Sequence, residues 1–195
     1  MSRFSLNYLG IFFIIISFLS FFNIIYSYYF NLYLNIDTYI FTLFISLIIG
    51  AILLFKKKID KKITIYEKII IVIIGYILLP IIISIPYYLS IYNISLMDCY
   101  FEAISGFTST GFTIIENIKH LDESLILWRS TSQWIGGIYF LFSIVLLTDI
   151  FDNSLKKSLT NFISFNTSEV FKQSFKILIL YIILTLVLFI VLNLI

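Results

Sequence analysis

Two prolines, Pro80 and Pro86, are the only ones in 195 residues, so little in the chain breaks a long helix. The single cysteine, Cys99, excludes an internal disulfide and carries no sign of redox compartment. The single histidine, His120, has no second histidine or carboxylate cluster at metal-ligand spacing, which excludes a metalloenzyme centre of the usual kind. Charge is scarce as well: 12% of residues are Asp, Glu, Lys or Arg, against about a quarter in a soluble domain. No nucleophile elbow, phosphate-cradling loop or nucleotide-binding pattern occurs, so the expectation is a protein that is not an enzyme and uses no organic cofactor. A net charge of +2 decides little, because in a membrane protein the placement of charge matters more than its sum, and no nucleic-acid partner is expected. Glycine/serine linkers, low-complexity tails and a separate soluble domain are also lacking.

What fills the chain is apolar. Hydrophobic residues make up 61%, and the mean hydropathy is +1.05. No water-soluble fold hides that much apolar surface, so the solvent is lipid. Phe and Tyr come with an excess of Ile, Asn and Lys, a bias of overall composition. Single aromatic residues in the spans therefore carry no functional weight.

Five segments have the length to cross a bilayer: residues 6–30, 39–55, 69–89, 124–150 and 175–195. Each supplies roughly 17 to 25 residues, enough for a hydrocarbon core of about 30 Å. The first follows Arg3 but is too long for a signal-peptide core and precedes no small-residue cleavage site, so it reads as a retained helix. Basic residues set the orientation. Lys56, Lys57, Lys58, Lys61, Lys62 and Lys68 fall between spans two and three. Lys156, Lys157, Lys172 and Lys176 fall between four and five, and Arg3 precedes span one. Eleven of the thirteen basic residues thus share one side, with Lys119 opposite and Arg129 inside span four. By the positive-inside rule the N-terminus is cytoplasmic and the C-terminus external.

The stretch from Ser95 to Thr113, SLMDCYFEAISGFTSTGFT, is too short and polar to span, yet lies between two segments that do. A segment of this kind is read as re-entrant. Ser95 suits an N-cap, with Asp98 three residues on in a capping-box arrangement. A helix over 96–105 is about 15 Å long, half the bilayer core, and Gly106 suits its C-terminus. The negative end of its dipole then meets Thr108, Ser109, Thr110, Gly111 and Phe112, whose backbone carbonyls fit a monovalent alkali cation. No carboxylate lies among them to favour a divalent ion. Gly111 is the pivotal residue, since glycine takes backbone angles closed to others and lets the chain approach an ion. Asp98, Glu102 and Glu116 add negative potential at the mouth. The alternative reading of the same residues is an interfacial helix followed by an ordinary external loop.

Trp128, Arg129, Gln133 and Trp134 cluster at the start of span four. Two readings stand: interfacial anchoring by the tryptophans, or Arg129 and Gln133 bracing the loop from behind against a group such as Glu102. Gly136 and Gly137 allow close packing or a bend. Asp149 and Asp152 complement Lys156 and Lys157.

The segments FEAISGFTSTGFT (Phe101 to Thr113) and LWRSTSQWIGGIYF (Leu127 to Phe140) together resemble the first pore loop and following helix of the Trk/Ktr/HKT superfamily of potassium transporters. The organisation is most similar to the Trk-type membrane subunit. The resemblance implies an all-α integral membrane fold with about five transmembrane helices, one re-entrant pore helix and a filter-like loop. Residues 1–62 would be two leading helices with a basic loop, and 63–152 a helix–pore loop–helix repeat. Residues 153–195 would be a basic segment and the first helix of a second repeat. In that family four repeats surround one pore, paired subunits associate, and a cytosolic nucleotide-binding partner gates them. The resemblance therefore implies potassium as substrate, with the ion at the filter the only metal and no catalytic residue. It also implies the bacterial inner membrane as location. Partners would be the bilayer, the remaining pore repeats or other copies, and the gating subunit. With one filter stretch in view, the expectation is an N-terminal portion that does not conduct alone. The alternatives are a non-conducting membrane module that binds or regulates a full-length subunit, and an unrelated membrane scaffold.

Overall fold

The computed structural model describes residues 3–55, 65–115, 121–148 and 167–194. Every regular element among them is helical: α1 Arg3–Tyr29, α2 Ile36–Phe55, α3 Ile65–Ile83, α4 Ile85–Tyr88, α5 Leu96–Phe107, α6 Glu123–Thr148 and α7 Thr167–Leu194. Among the described residues, four stretches are long and apolar enough to cross a membrane: Asn7–Tyr29, Ile36–Phe55, Tyr66–Tyr88 and Glu123–Leu147. Within α7, Leu178–Leu192 is apolar. The sites at Lys56, Lys57, Lys58, Lys61, Lys62, Glu116, Lys119, His120, Asp149, Asp152, Lys156 and Lys157 lie outside the described residues.

The chain forms two compact units, Met1–Gly137 and Ile138–Ile195. In the first, α1 and α2 make a hairpin, and the packing of α2 inverts that of a soluble protein. The buried face of α2 is Thr38, Tyr39, Thr42, Ser46 and Gly50, spaced for one helical stripe. Its exposed face carries Ile40, Phe41, Phe44, Leu47, Ile48 and Ile52. In lipid there is no gain in hiding Ile from the solvent, whereas small residues let backbones approach. The stripe hydroxyls turn back on their own helix, Thr42 to the Thr38 carbonyl at 2.8 Å and Ser46 to the Thr42 carbonyl at 2.6 Å. Across the hairpin, Ser17 donates to the Leu43 carbonyl at 3.2 Å.

The third span is two helices rather than one. Pro80 is accommodated inside α3, but Pro86, in the first turn of α4, lacks the N–H needed to continue the ladder, and the chain breaks at Ser84. Near the break the Ile83 carbonyl accepts the Trp128 indole N–H at 3.0 Å. Trp128 is 2% exposed, so the expected lipid anchor is instead a strut between α6 and the α3–α4 break.

At the end where α1 meets α2, a polar clasp joins the hairpin to the rest of the unit. Asn35 Nδ2 donates to Asp122 Oδ2 at 3.3 Å, and Asn35 Oδ1 accepts the Ile91 N–H at 3.4 Å. The Tyr39 and Ser124 hydroxyls lie 3.0 Å apart, Ser124 donates to Asp122 at 2.5 Å, and Tyr92 Oη accepts the Asp122 N–H at 2.7 Å. Asp122 also starts α6, its carbonyl accepting the N–H groups of Leu125 and Ile126.

In the second unit Ser143 donates to the Tyr139 carbonyl at 2.7 Å and Thr185 to the Ile182 carbonyl at 2.8 Å. Hydroxyls in both helices are thus satisfied locally, as lipid requires. Along α7, Leu180, Ile183, Leu184, Leu188 and Leu192 are exposed.

Candidate functional site: a braced loop at the end of a half-length helix

Helix α5 begins as its sequence prescribes. Ser95 Oγ accepts the Asp98 N–H at 3.2 Å and donates to Asp98 Oδ2 at 2.7 Å. Its end differs from the expectation. The helix runs two residues further, to Phe107, and Gly106 sits inside it rather than closing it. The residue in left-handed conformation after the helix is Ser109, at φ +55°. Gly106 serves another purpose: a Cβ there would collide with Ser132 Oγ of α6. Likewise a Cβ on Gly136 would strike the Phe107 carbonyl. These two glycines let α5 and α6 lie nearly backbone to backbone.

The buried face of α5 is Cys99, Glu102, Ala103, Gly106 and Phe107, with Ser105 beside it. Cys99 Sγ contacts the Ile94 carbonyl at 3.6 Å, and burial pushes its thiol up to about 11, with the nearby Asp98 carboxyl adding to the effect. Phe107 stacks edge-on against Tyr76, ring centroids 5.7 Å apart.

Beyond α5 the loop curls back over the helix end. The Thr108 N–H bonds to the Ile104 carbonyl at 2.8 Å and the Ser109 N–H to Gly106 at 2.9 Å. The N–H groups of Thr110 and Gly111 both reach the Ser105 carbonyl, at 3.0 and 3.3 Å. A trans peptide is planar, with its C=O opposed to its N–H. The carbonyls of Thr108, Ser109 and Thr110 share peptides with N–H groups that point into the helix end, so all three point away from it. None of the three accepts a hydrogen bond from a described residue.

At Gly111, with φ +81°, the pattern reverses. The Gly111 and Phe112 carbonyls accept Arg129 Nη2 at 3.3 and 3.2 Å, and Phe112 also accepts Ser105 Oγ at 2.6 Å. A Cβ on Gly111 would meet nothing within 4 Å, so the glycine is required by its backbone angle and not by space. Residues Thr108 to Thr113 are all exposed.

Glu102 lies beneath the loop, on the buried face of α5. It is 0% exposed. Its Oε1 accepts the Thr113 hydroxyl and the Ile114 N–H, each at 2.6 Å, while Oε2 lies 3.6 Å from Arg129 Nη1. On α5 it falls on the helix's buried stripe, so of its two expected roles the pairing with Arg129 behind the loop is the one this geometry displays. That stripe, 99, 102–103 and 106–107, was present in the sequence as helical periodicity. Asp98 is partly exposed and lines, with Glu102, Tyr92 and Leu121, a cavity of about 300 Å³. Gln133 forms no hydrogen bond to a described residue of the loop.

The site is thus a short helix, an exposed loop with three free carbonyls in series, and a rear frame of one carboxyl and one guanidinium. Its surroundings are those of a multi-pass α-helical membrane protein. The profile of TrkH, cation transport protein, matches residues 35–195, and the chain belongs to that family. Among curated relatives, an uncharacterized cation transporter of Methanocaldococcus jannaschii is 47% identical over 55 residues, covering 28% of this chain and 12% of that protein. The Trk system potassium uptake protein TrkI of Halomonas elongata is 44% identical over 55 residues, covering 28% and 11%. The crystal structure of the potassium transporter TrkH from Vibrio parahaemolyticus superposes with a TM-score of 0.69 at 21% identity, over 95% of this chain and 38% of that one. The chain thus spans well under half the length of these proteins. Family membership and fold together make it a multi-pass membrane protein of the TrkH cation transport family.

Proposed function

We propose that this chain forms the first pore repeat of a potassium uptake pathway, with a dehydrated cation passing the carbonyls of Thr108, Ser109 and Thr110. The observation that carries the reading is the run of three peptide planes turned outward before Gly111. Carbonyl dipoles held at fixed spacing replace a hydration shell yet bind weakly enough to release the ion. Gly111 and Phe112 belong to the same stretch as its hinge, their carbonyls held by Arg129. Ser95 to Ser124 faces the exterior in this reading, with the N-terminus cytoplasmic. Asp98 and Glu116 attract cations at the mouth, and Arg129 braces the loop, with Gln133 a neighbour on the same helix.

One such stretch does not ring an ion. The remaining walls come from further repeats or copies, and a cytosolic nucleotide-binding subunit gates the assembly. The organisation proposed is two leading helices over 1–62, the repeat over 63–152, and the opening of a second over 153–195. Rubidium uptake into proteoliposomes tests the reading. Selective flux is expected once the other filter stretches are supplied, and Gly111→Asp should abolish it. Flux unchanged by Gly111→Asp in the complete assembly would overturn the reading in favour of a non-conducting, partner-binding module.

A further inference from the structure

Behind the loop, three polar atoms of the first unit are buried without a hydrogen-bond partner: Glu102 Oε2, Arg129 Nη1 and Tyr87 Oη. The first two face each other at 3.6 Å, too far for a hydrogen bond and near enough to share one bridging group. Tyr87, 0% exposed, has Glu102, Arg129 and the Ser132 hydroxyl as its electrostatic neighbours. Such atoms are costly to leave bare in a membrane protein, where bulk water does not reach the interior.

We infer that a bound water molecule sits behind the filter-type loop, donating to Glu102 Oε2 and accepting from Arg129 Nη1, with Tyr87 Oη as its third contact. The chemistry of the three atoms selects the occupant. It has to accept from a guanidinium and donate to a carboxyl oxygen at once, so it needs both functions within one small group. A cation in this position is repelled by Arg129, and an anion by Glu102. A neutral molecule with two donors and two lone pairs meets the demand, and two to four polar partners is the coordination that holds a buried water.

The water closes a ring behind the loop. Glu102 holds Thr113 and Ile114 through Oε1, the water links Oε2 to Arg129, and Arg129 holds Gly111 and Phe112 through Nη2. The inference rests on these contacts alone and does not depend on whether the loop conducts.

X-ray radiolytic footprinting of the whole chain in lipid nanodiscs tests it, because hydroxyl radicals form from bound water in place. Tyr39 is the internal control: it is equally buried, at 0% exposure, but its hydroxyl is met directly by Ser124. Tyr87 is expected to oxidise at least tenfold faster than Tyr39, and to take up ¹⁸O when the solvent water is labelled. Tyr87 as inert as Tyr39 would overturn the inference. A map at high resolution gives a second decision. A density peak within hydrogen-bond distance of both Glu102 Oε2 and Arg129 Nη1 supports the water, and direct contact of the two side chains with no peak rejects it.

Discussion

Removing Glu102 is the sharpest perturbation of the loop's frame. Glu102→Ala deletes the acceptor for two bonds of 2.6 Å and strands the Arg129 guanidinium, itself 8% exposed, without its acidic partner. Removing one member of a buried ion pair costs about 3–5 kcal/mol, most of it the desolvation of the charge left behind. The loss falls on the segment that Glu102 ties down, so the free energy for opening residues 112–115 should drop by that amount. At about 1.4 kcal/mol per factor of ten, exchange of the Ile114 amide should quicken on the order of a hundred- to several-thousand-fold. Hydrogen–deuterium exchange in nanodiscs reads this directly. The amides of Thr110 and Gly111 provide the contrast, since they bond to the Ser105 carbonyl and do not use Glu102. Glu102→Gln keeps an oxygen for Thr113 and Ile114 but forfeits the pairing with Arg129, and should fall between, at about 1.5–3 kcal/mol. An Ile114 amide whose exchange rises less than tenfold in Glu102→Ala, with the helices intact, would refute the bracing argument.

Other outcomes follow from the same geometry. Gly111→Ala has room for its methyl but not for the angle of φ +81°, so it should destabilise the loop by about 1–2 kcal/mol, whereas Gly111→Asn, tolerant of that angle, should cost less; loop-amide exchange compares them. Gly106→Ala collides only with the Ser132 hydroxyl, so thermal melting should show a loss in the single variant and recovery in Gly106→Ala with Ser132→Ala. Gly136→Ala strikes backbone at Phe107, and no single side-chain truncation should rescue it. Cys99, 0% exposed and with its thiol pushed up by burial, should resist maleimide at pH 8 in the folded chain and label readily once the chain is unfolded.

The spans were legible because lipid imposes a length and a composition that few other environments demand. The start of α5 was legible because a cap is a local contact between Ser95 and Asp98. Its end was not. Gly106 looks like a stop signal, but its lack of a side chain is spent on Ser132, a residue distant in sequence, and Ser109 takes the left-handed angle in its stead. The burial of Glu102 was open to reading from periodicity, since its register on α5 puts it on the stripe of Cys99, Ala103 and Gly106. The reversal of carbonyl direction at Gly111 could not be read from residue types, since it depends on which N–H groups the helix end captures. Of the two readings of the span-four cluster, Trp128 left the anchoring role once its indole met Ile83.

The clasp at Asn35 also bears on how the protein is made. Asn35 and Asp122 are separated by 87 residues, and at about 5–20 residues per second the ribosome needs roughly 4–17 s to cover that distance. Throughout that interval the leading hairpin exists without the partner for its amide, while α3, α4 and α5 are being made. Until then the hairpin is held by its own contacts, the small-residue stripe and the Ser17 bond. Asn35 at its tip meanwhile holds to water at the membrane surface. The bond to Asp122 then fastens the start of α6 only after the loop that α6 supports has been delivered, which makes the clasp a seal on completed insertion.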